Sequence, residues 1–154
     1  MKILLTGTSG FIGQHLLPRL KQFGEVHSLK NDLTHHTGIQ LEVKKAKPDI
    51  VVHLAARTEV QKSFYEQVSF SEVNYVGTVN LIEACRQLSD MPYFVFASTM
   101  EVYGWQPISD EVKQTGTYTT KVAFDEYTQP NPNAPYAVAK YGCEKYLELE
   151  LDEK

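Results

Sequence analysis

The sequence predicts an α/β fold built on a doubly wound parallel sheet. Short apolar runs, at residues 2–6, 49–56 and 93–97, alternate with stretches whose apolar residues recur at helical spacing. A glycine cluster, "TGTSGFIG", follows the first run directly and opens the first helical stretch. Strands separated by helices need crossover connections, which place them side by side and parallel in one sheet. The chain has 154 residues, which suits a single domain with a substantial core.

"KILLT", residues 2–6, reads as a buried strand that stops at the glycines. Phe11, Ile12, Leu16, Leu17 and Leu20 follow helical spacing, and that helix should end near Gly24. Pro18 conflicts with it, because proline removes a backbone donor and should kink the helix. "EVHSL", 25–29, reads as a half-buried strand, and "IQLEVKKAK", 39–47, as an amphipathic helix closed by Pro48. "DIVVHLAA", 49–56, reads as another buried strand. Val73, Val76, Leu81, Ala84, Cys85 and Leu88 share one face of a helix over 73–88, which the strand "YFVFA", 93–97, follows. Residues 105–135 carry Pro107, Gly116, Pro130, Pro132 and Pro135 and read as mostly loop. A last helix runs from Tyr136 to about Leu151, with Tyr136, Lys140, Cys143 and Leu147 along one side.

Composition narrows the function. Net charge is −4 and no Lys/Arg block appears, so neither nucleic acid nor an anionic membrane is expected as a partner. Cys85 and Cys143 lack metal-site spacing and read as buried thiols of a cytoplasmic protein. No apolar run approaches the ~20 residues of a membrane span, and Met1 leads straight into a strand without a signal-like segment.

In a parallel sheet, ligands bind beyond the carboxyl ends of the strands. Those ends fall at Gly7–Gly13, Lys30–Leu33, His53–Arg57 and Ser98–Gly104, which should line one crevice. Gly7 would permit the tight turn, Gly10 the approach of backbone N–H groups to a pyrophosphate, and Gly13 close packing of helix on sheet. The helix N-terminus adds donors and a positive dipole end. The spacing is GxxGxxG; three glycines alone could be a plain turn, but their place between strand and helix favours a cofactor cradle. "PYAVAKYG" sets Tyr136 and Lys140 four apart on one helix face. With nine tyrosines in the chain, such a pair could arise by chance as a surface lysine beside a half-buried tyrosine. Thr99, in "STMEVYG", argues otherwise, since hydroxyls at the end of a buried strand need partners.

Together "TGTSGFIG", "DL" at 32–33, "HLAA" at 53–56, "NYVGTVNLIEAC" at 74–85, "STMEVYG" and "YAVAK" occur in an order that resembles the extended short-chain dehydrogenase/reductase family, which includes nucleotide-sugar epimerases and dehydratases. The resemblance runs from residue 2 to the end. It implies a Rossmann-like NAD(P)-binding domain over 1–154, a nucleotide-sugar substrate, and Thr99, Tyr136 and Lys140 as the catalytic triad. By the same resemblance Phe11 and Ile12 sit at the pyrophosphate, and Asp32 and Leu33 flank the adenine. Leu54, Ala55, Ala56 and Arg57 lie on the sugar and nicotinamide side, and Asn74 lies near the nicotinamide ribose, whose hydroxyls Lys140 binds. Tyr136 would be the general base. A free tyrosine has a pKa of ~10, which the Lys140 ammonium and an oxidised nicotinamide would pull down. The helices at about 73–88 and 136–151 would pack against a twin, giving a homodimer.

Four departures qualify the resemblance. Where an acidic residue often grips the adenosine ribose, this chain has Lys30 or Asn31; a lysine could contact a 2′-phosphate, which tilts the expectation from NAD to NADP. Met100 replaces the first acid of the pair found after the threonine in dehydratases, so epimerase or reductase is expected before dehydratase, with Glu101 as a polar neighbour of the site. The loop from Gly104 to Tyr136 is longer than usual, with "PISDEV" and "AFDEYTQPNP" on either side of an added segment. The chain also stops within the helix after Lys140, before the further strands and the sugar-binding region. The expectation is either an amino-terminal part, inactive by itself, or a short form that works with a partner. The rival reading is a dinucleotide-binding module without turnover.

Overall fold

The structure is a computed structural model that describes residues 1–104 and 124–152. Most of the long loop, including its added segment, lies outside the described residues. Four strands, β1 (Lys2–Thr6), β2 (Glu25–Ser28), β3 (Ile50–His53) and β4 (Tyr93–Phe96), form one parallel sheet in the order β2-β1-β3-β4. The register sets Leu4 opposite His27 and Val51, and Thr6 opposite His53, so β1 and β3 end together.

Helices cover both faces. α1 (Phe11–Leu20) lays Leu16, Leu17 and Leu20 over Ile3, Leu5 and Val52. On the other face α2 (His36–Ala46) and α5 (Gly77–Arg86) close a larger core of Leu4, Leu33, Ile39, Val43, Val51, Leu81, Ala84 and Cys85. Alternation along β1 explains the arrangement: Ile3 and Leu5 point one way and Leu4 the other. The sheet is doubly wound, as expected.

Two short helices, α3 (Val60–Ser63) and α4 (Gln67–Ser71), fill a stretch in which the sequence shows no clear periodicity. α4 continues through a π-helical segment, Glu72–Val76, into α5. The last helix, α6 (Pro135–Asp152), packs against α3, α4 and the π segment. α1 runs through Pro18 as one helical segment and ends at Leu20 rather than near Gly24. Pro18 sits in the last turn, where its missing N–H takes one donor from the Gln14 carbonyl. No described helix is long and apolar enough to cross a membrane.

Candidate functional site

The carboxyl ends of the strands open onto a crevice of about 640 Å³, lined by residues 6–13, 31–33 and 54–58 with Leu29, Val73 and Ala97. Its floor is the glycine turn. Gly7 has φ +69°, a left-handed conformation that L side chains rarely adopt, and a Cβ there would lie 2.7 Å from Ala55 N. A Cβ on Gly13 would meet Gly7 O at 2.1 Å, so only glycine lets α1 start this close to the turn. The Gly10 amide donates to Gly7 O at 3.0 Å. Phe11 and Ile12 begin α1 with exposed side chains.

A buried chain of hydrogen bonds fixes the wall opposite. Thr6 Oγ1 accepts from the amides of Leu54 (3.1 Å) and Ala55 (2.9 Å) and lies 2.7 Å from His53 Nδ1. His53 Nε2 lies 2.9 Å from Thr78 Oγ1, whose hydroxyl donates to Asn74 O at 2.6 Å. The proton assignment follows from that last bond. Thr78 must accept from Nε2–H, leaving Nδ1 to accept from Thr6. Burial, helped by the charge of Lys140, pushes His53 down to about 3, so it stays neutral. The Asn74 side chain accepts from Arg57 N (2.8 Å) and donates to Arg57 O (2.9 Å), pinning the last residue of the wall. The Arg57 guanidinium faces away, bonded to Ser69 and Glu66 and stacked 4.4 Å over Phe70. Arg57 therefore offers the crevice its backbone, and Asn74 acts behind the wall rather than on its surface. The motif "HLAA" had flagged the segment, but nothing had marked Thr6, His53 and Thr78 as its anchors.

At the other end Leu33 is buried against α5, its Cβ only 2.7 Å from where a Cβ on Gly77 would stand. Asp32 Oδ1 accepts from the amide (2.9 Å) and hydroxyl (2.6 Å) of Thr34, bonds that hold its carboxyl below the usual range. Asn31 and Asp32 line the crevice, whereas Lys30 is exposed beside it.

Thr99 follows β4 in extended conformation and caps a 3₁₀ turn, Met100–Tyr103, by accepting from Glu101 N at 3.2 Å. Its hydroxyl is near enough to the buried Tyr136 phenol to act on its pKa. Burial raises the Tyr136 pKa, the Thr99 bond works against this, and the Glu101 charge adds to the rise. Lys140 is one turn further along α6 and only 3% exposed. Its ammonium donates to Ala97 O at 2.7 Å and lies 4.5 Å over the Phe96 ring. Burial brings its pKa down to about 8. The structure thus sets Thr99 near enough to act on Tyr136 and ties Lys140 to a residue that lines the crevice. The phenol pKa is not pulled down here: desolvation dominates, and the lysine is turned to a carbonyl. Glu101, expected as a polar neighbour, is close enough to act on the phenol.

Residues 3–150 match the model of the NAD dependent epimerase/dehydratase family. The chain belongs to that family. Among curated relatives, a GDP-6-deoxy-D-talose 4-dehydrogenase of Aggregatibacter actinomycetemcomitans is 35% identical over 93% of this chain and 49% of its own length. A dTDP-D-glucose 4,6-dehydratase of Dictyostelium discoideum is 30% identical over 96% of this chain and 39% of its own. Among solved structures, the UDP-glucose 4-epimerase of Thermus thermophilus, in complex with NAD, superposes with a TM-score of 0.81 at 30% identity, covering 97% of this chain and 50% of that one. The chain spans about half the length, or less, of the curated relatives it matches. These likenesses agree with the Rossmann-like architecture of the epimerase/dehydratase family and with the extended short-chain dehydrogenase/reductase resemblance seen in the sequence.

Proposed function

We propose that residues 1–154 form the NAD(P)-binding domain of a nucleotide-sugar epimerase or reductase, with Thr99, Tyr136 and Lys140 as its catalytic set. One observation carries this reading. A crevice whose glycine turn admits no side chain at Gly7 or Gly13 adjoins Ala97, whose carbonyl holds Lys140, two residues before Thr99, whose hydroxyl acts on the Tyr136 phenol. The glycine turn suits a dinucleotide pyrophosphate: residues 7–13, which include the start of α1, line the crevice.

When bound, the nicotinamide supplies the acceptor and donor of hydride. Residues of this chain do the rest. Thr99 holds the phenol and can hydrogen-bond the sugar oxygen. Tyr136 takes the proton from that sugar hydroxyl. Its deprotonation is opposed by burial and by Glu101, so it needs cationic help. Lys140, about 8, keeps most of its charge at neutral pH and would give that help on turning from Ala97 O toward the phenol. Leu33, at the other end beside α5, offers the adenine an apolar surface.

The test is to incubate the full-length protein with NAD or NADP and a panel of nucleotide-hexoses. Epimerised or reduced sugars are expected. A 4-keto-6-deoxy sugar is not, because Met100, 69% exposed at the head of the 3₁₀ turn, has no proton to give a leaving hydroxyl. Its accumulation at enzyme-like rates would contradict the reading.

The protein is also proposed to be a homodimer. Val68, Val76 and Val138 are 72%, 46% and 56% exposed along α4, the π segment and α6, beside a groove of about 690 Å³ that includes Tyr75 and Val138. Light scattering at micromolar concentration should give twice the chain mass; a monomer mass would refute this.

A further inference from the structure

Glu42, in the middle of α2, is used by nothing so far described, yet it holds the turn that leaves β2. Its carboxylate accepts from the Lys30 amide (2.9 Å), the Asn31 amide (3.0 Å), Asn31 Nδ2 (2.6 Å) and His27 Nε2 (2.7 Å). A carboxylate only accepts, so His27 carries its proton on Nε2. The Glu42 side chain is 9% exposed. Burial pushes its pKa up, but the bonds from Asn31, His27 and Lys30 outweigh that, and the group lies below the usual range. It is a buried anion directly behind a turn whose next residues, Asn31, Asp32 and Leu33, line the crevice.

That turn is where the adenosine ribose of a dinucleotide would lie if the reading above is right, and on that reading this inference rests. A 2′-phosphate there needs donors and positive charge. The amides of Lys30 and Asn31 and the Asn31 side chain are the donors at hand, and Glu42 has claimed all three. We propose that Glu42 is a positioning residue that sets cofactor preference: by occupying the donors of the β2 turn and placing a fixed negative charge behind it, it disfavours a 2′-phosphorylated dinucleotide. Lys30, exposed on the same turn, pulls the other way. The preference of this protein is the balance of those two residues, one buried and anionic, one exposed and cationic.

The experiment is to titrate NADH and NADPH, by fluorescence, into the parent protein, Glu42→Gln and Lys30→Ala. Glu42→Gln keeps the size and one acceptor oxygen but removes the charge. It should raise the affinity ratio of NADPH to NADH by about fivefold to tenfold, the size expected of a unit charge acting on a phosphate across partly screened space. Lys30→Ala should lower the ratio. Partial loss of fold reduces the competent fraction for both ligands alike and drops out of the ratio, which a purely structural role would leave unmoved. If Glu42→Gln does not fold, the exposed-site double variant Lys30→Ala, Asp32→Asn leaves Glu42 as the acidic group of the turn. Raising salt from 0.05 to 0.5 M, about a threefold shortening of the screening length, should then raise its NADPH to NADH ratio. A ratio within about twofold of the parent in Glu42→Gln, or no salt response in the double variant, overturns the proposal. Failure of the parent to bind either dinucleotide overturns the dinucleotide reading itself, and this inference with it.

Discussion

Lys140→Met is expected to be more stable than the parent protein at pH 7 and less stable near pH 10.5. Lys140 is buried, and desolvation brings it from 10.5 in the unfolded chain to about 8 in the folded protein. Between those values the unfolded chain binds more protons than the folded one, so stability from this group rises with pH through the window. Below pH 8 the folded protein bears the full penalty of the buried charge, on the order of 3 kcal/mol at ~1.4 kcal/mol per unit. Methionine fills the same volume without charge. It also loses the bond to Ala97 O and the contact with Phe96, together about 1–2 kcal/mol. The net gain at pH 7 is about 1–2 kcal/mol, or a few degrees in the unfolding midpoint. Near pH 10.5 the penalty has faded together with the charge over Phe96, and the bond to Ala97 O is what the variant still lacks, so the order reverses. Thermal unfolding of both proteins from pH 6 to 10.5 checks this. Parallel curves would show that Lys140 is not desolvated. A lysine kept buried at such a cost to stability is readily explained by a role at the site.

Tyr136→Phe is expected to separate binding from chemistry. The substitution removes the phenol on which Thr99 acts, while Thr99 keeps its bond from Glu101 N. The fold should lose only about 1 kcal/mol, the usual net worth of one hydrogen bond. Dinucleotide affinity should stay within about threefold, because the glycine turn and the Thr6–His53 wall are untouched. Turnover of a nucleotide-sugar by the full-length protein should fall about 10²–10⁴-fold, the usual contribution of a placed general base. Turnover retained in this variant would assign the proton transfer elsewhere, with Glu101 the nearest carboxylate to suspect.

The fold was legible because β1 and β3 are nearly uninterrupted apolar runs and the glycine cluster marks where β1 ends. Strand ends were harder. "DIVVHLAA" looks apolar to Ala56, yet β3 stops at His53, because Thr6 Oγ1 captures the next two amides and draws the chain off the sheet. α3 and α4 left no periodic stripe: Phe64 and Val68 are 45% and 72% exposed, and Phe70 alone of the three is buried. The hydroxyl, tyrosine and lysine were singled out by the motifs that carry the family resemblance, but Lys140's burial was not legible, since it depends on β4 bringing Phe96 and Ala97 beneath α6. The polar wall was out of reach for the same reason. Thr6 and His53 are 47 residues apart, and His53 and Thr78 are 25 apart; only the register of β1 with β3 and the packing of α5 bring them into contact. Glu42 likewise looks like one more polar residue of an amphipathic helix until α2 docks beside the β2 turn.

The central claim, that the glycine crevice binds a dinucleotide, is tested most directly by titrating NADH and NADPH into the parent protein and Gly10→Ala. Gly10 is the right position because a Cβ there meets only Gly7 O, at 3.3 Å, a contact that small shifts can relieve. Gly13→Ala, at 2.1 Å from backbone, would disturb the fold and blur the result. The methyl group of Gly10→Ala would stand where the pyrophosphate must approach the amides. The parent should bind one dinucleotide per chain, and Gly10→Ala should unfold within a few degrees of it but bind at least about tenfold more weakly. No binding by the parent, or equal affinity in the two proteins, would contradict the account.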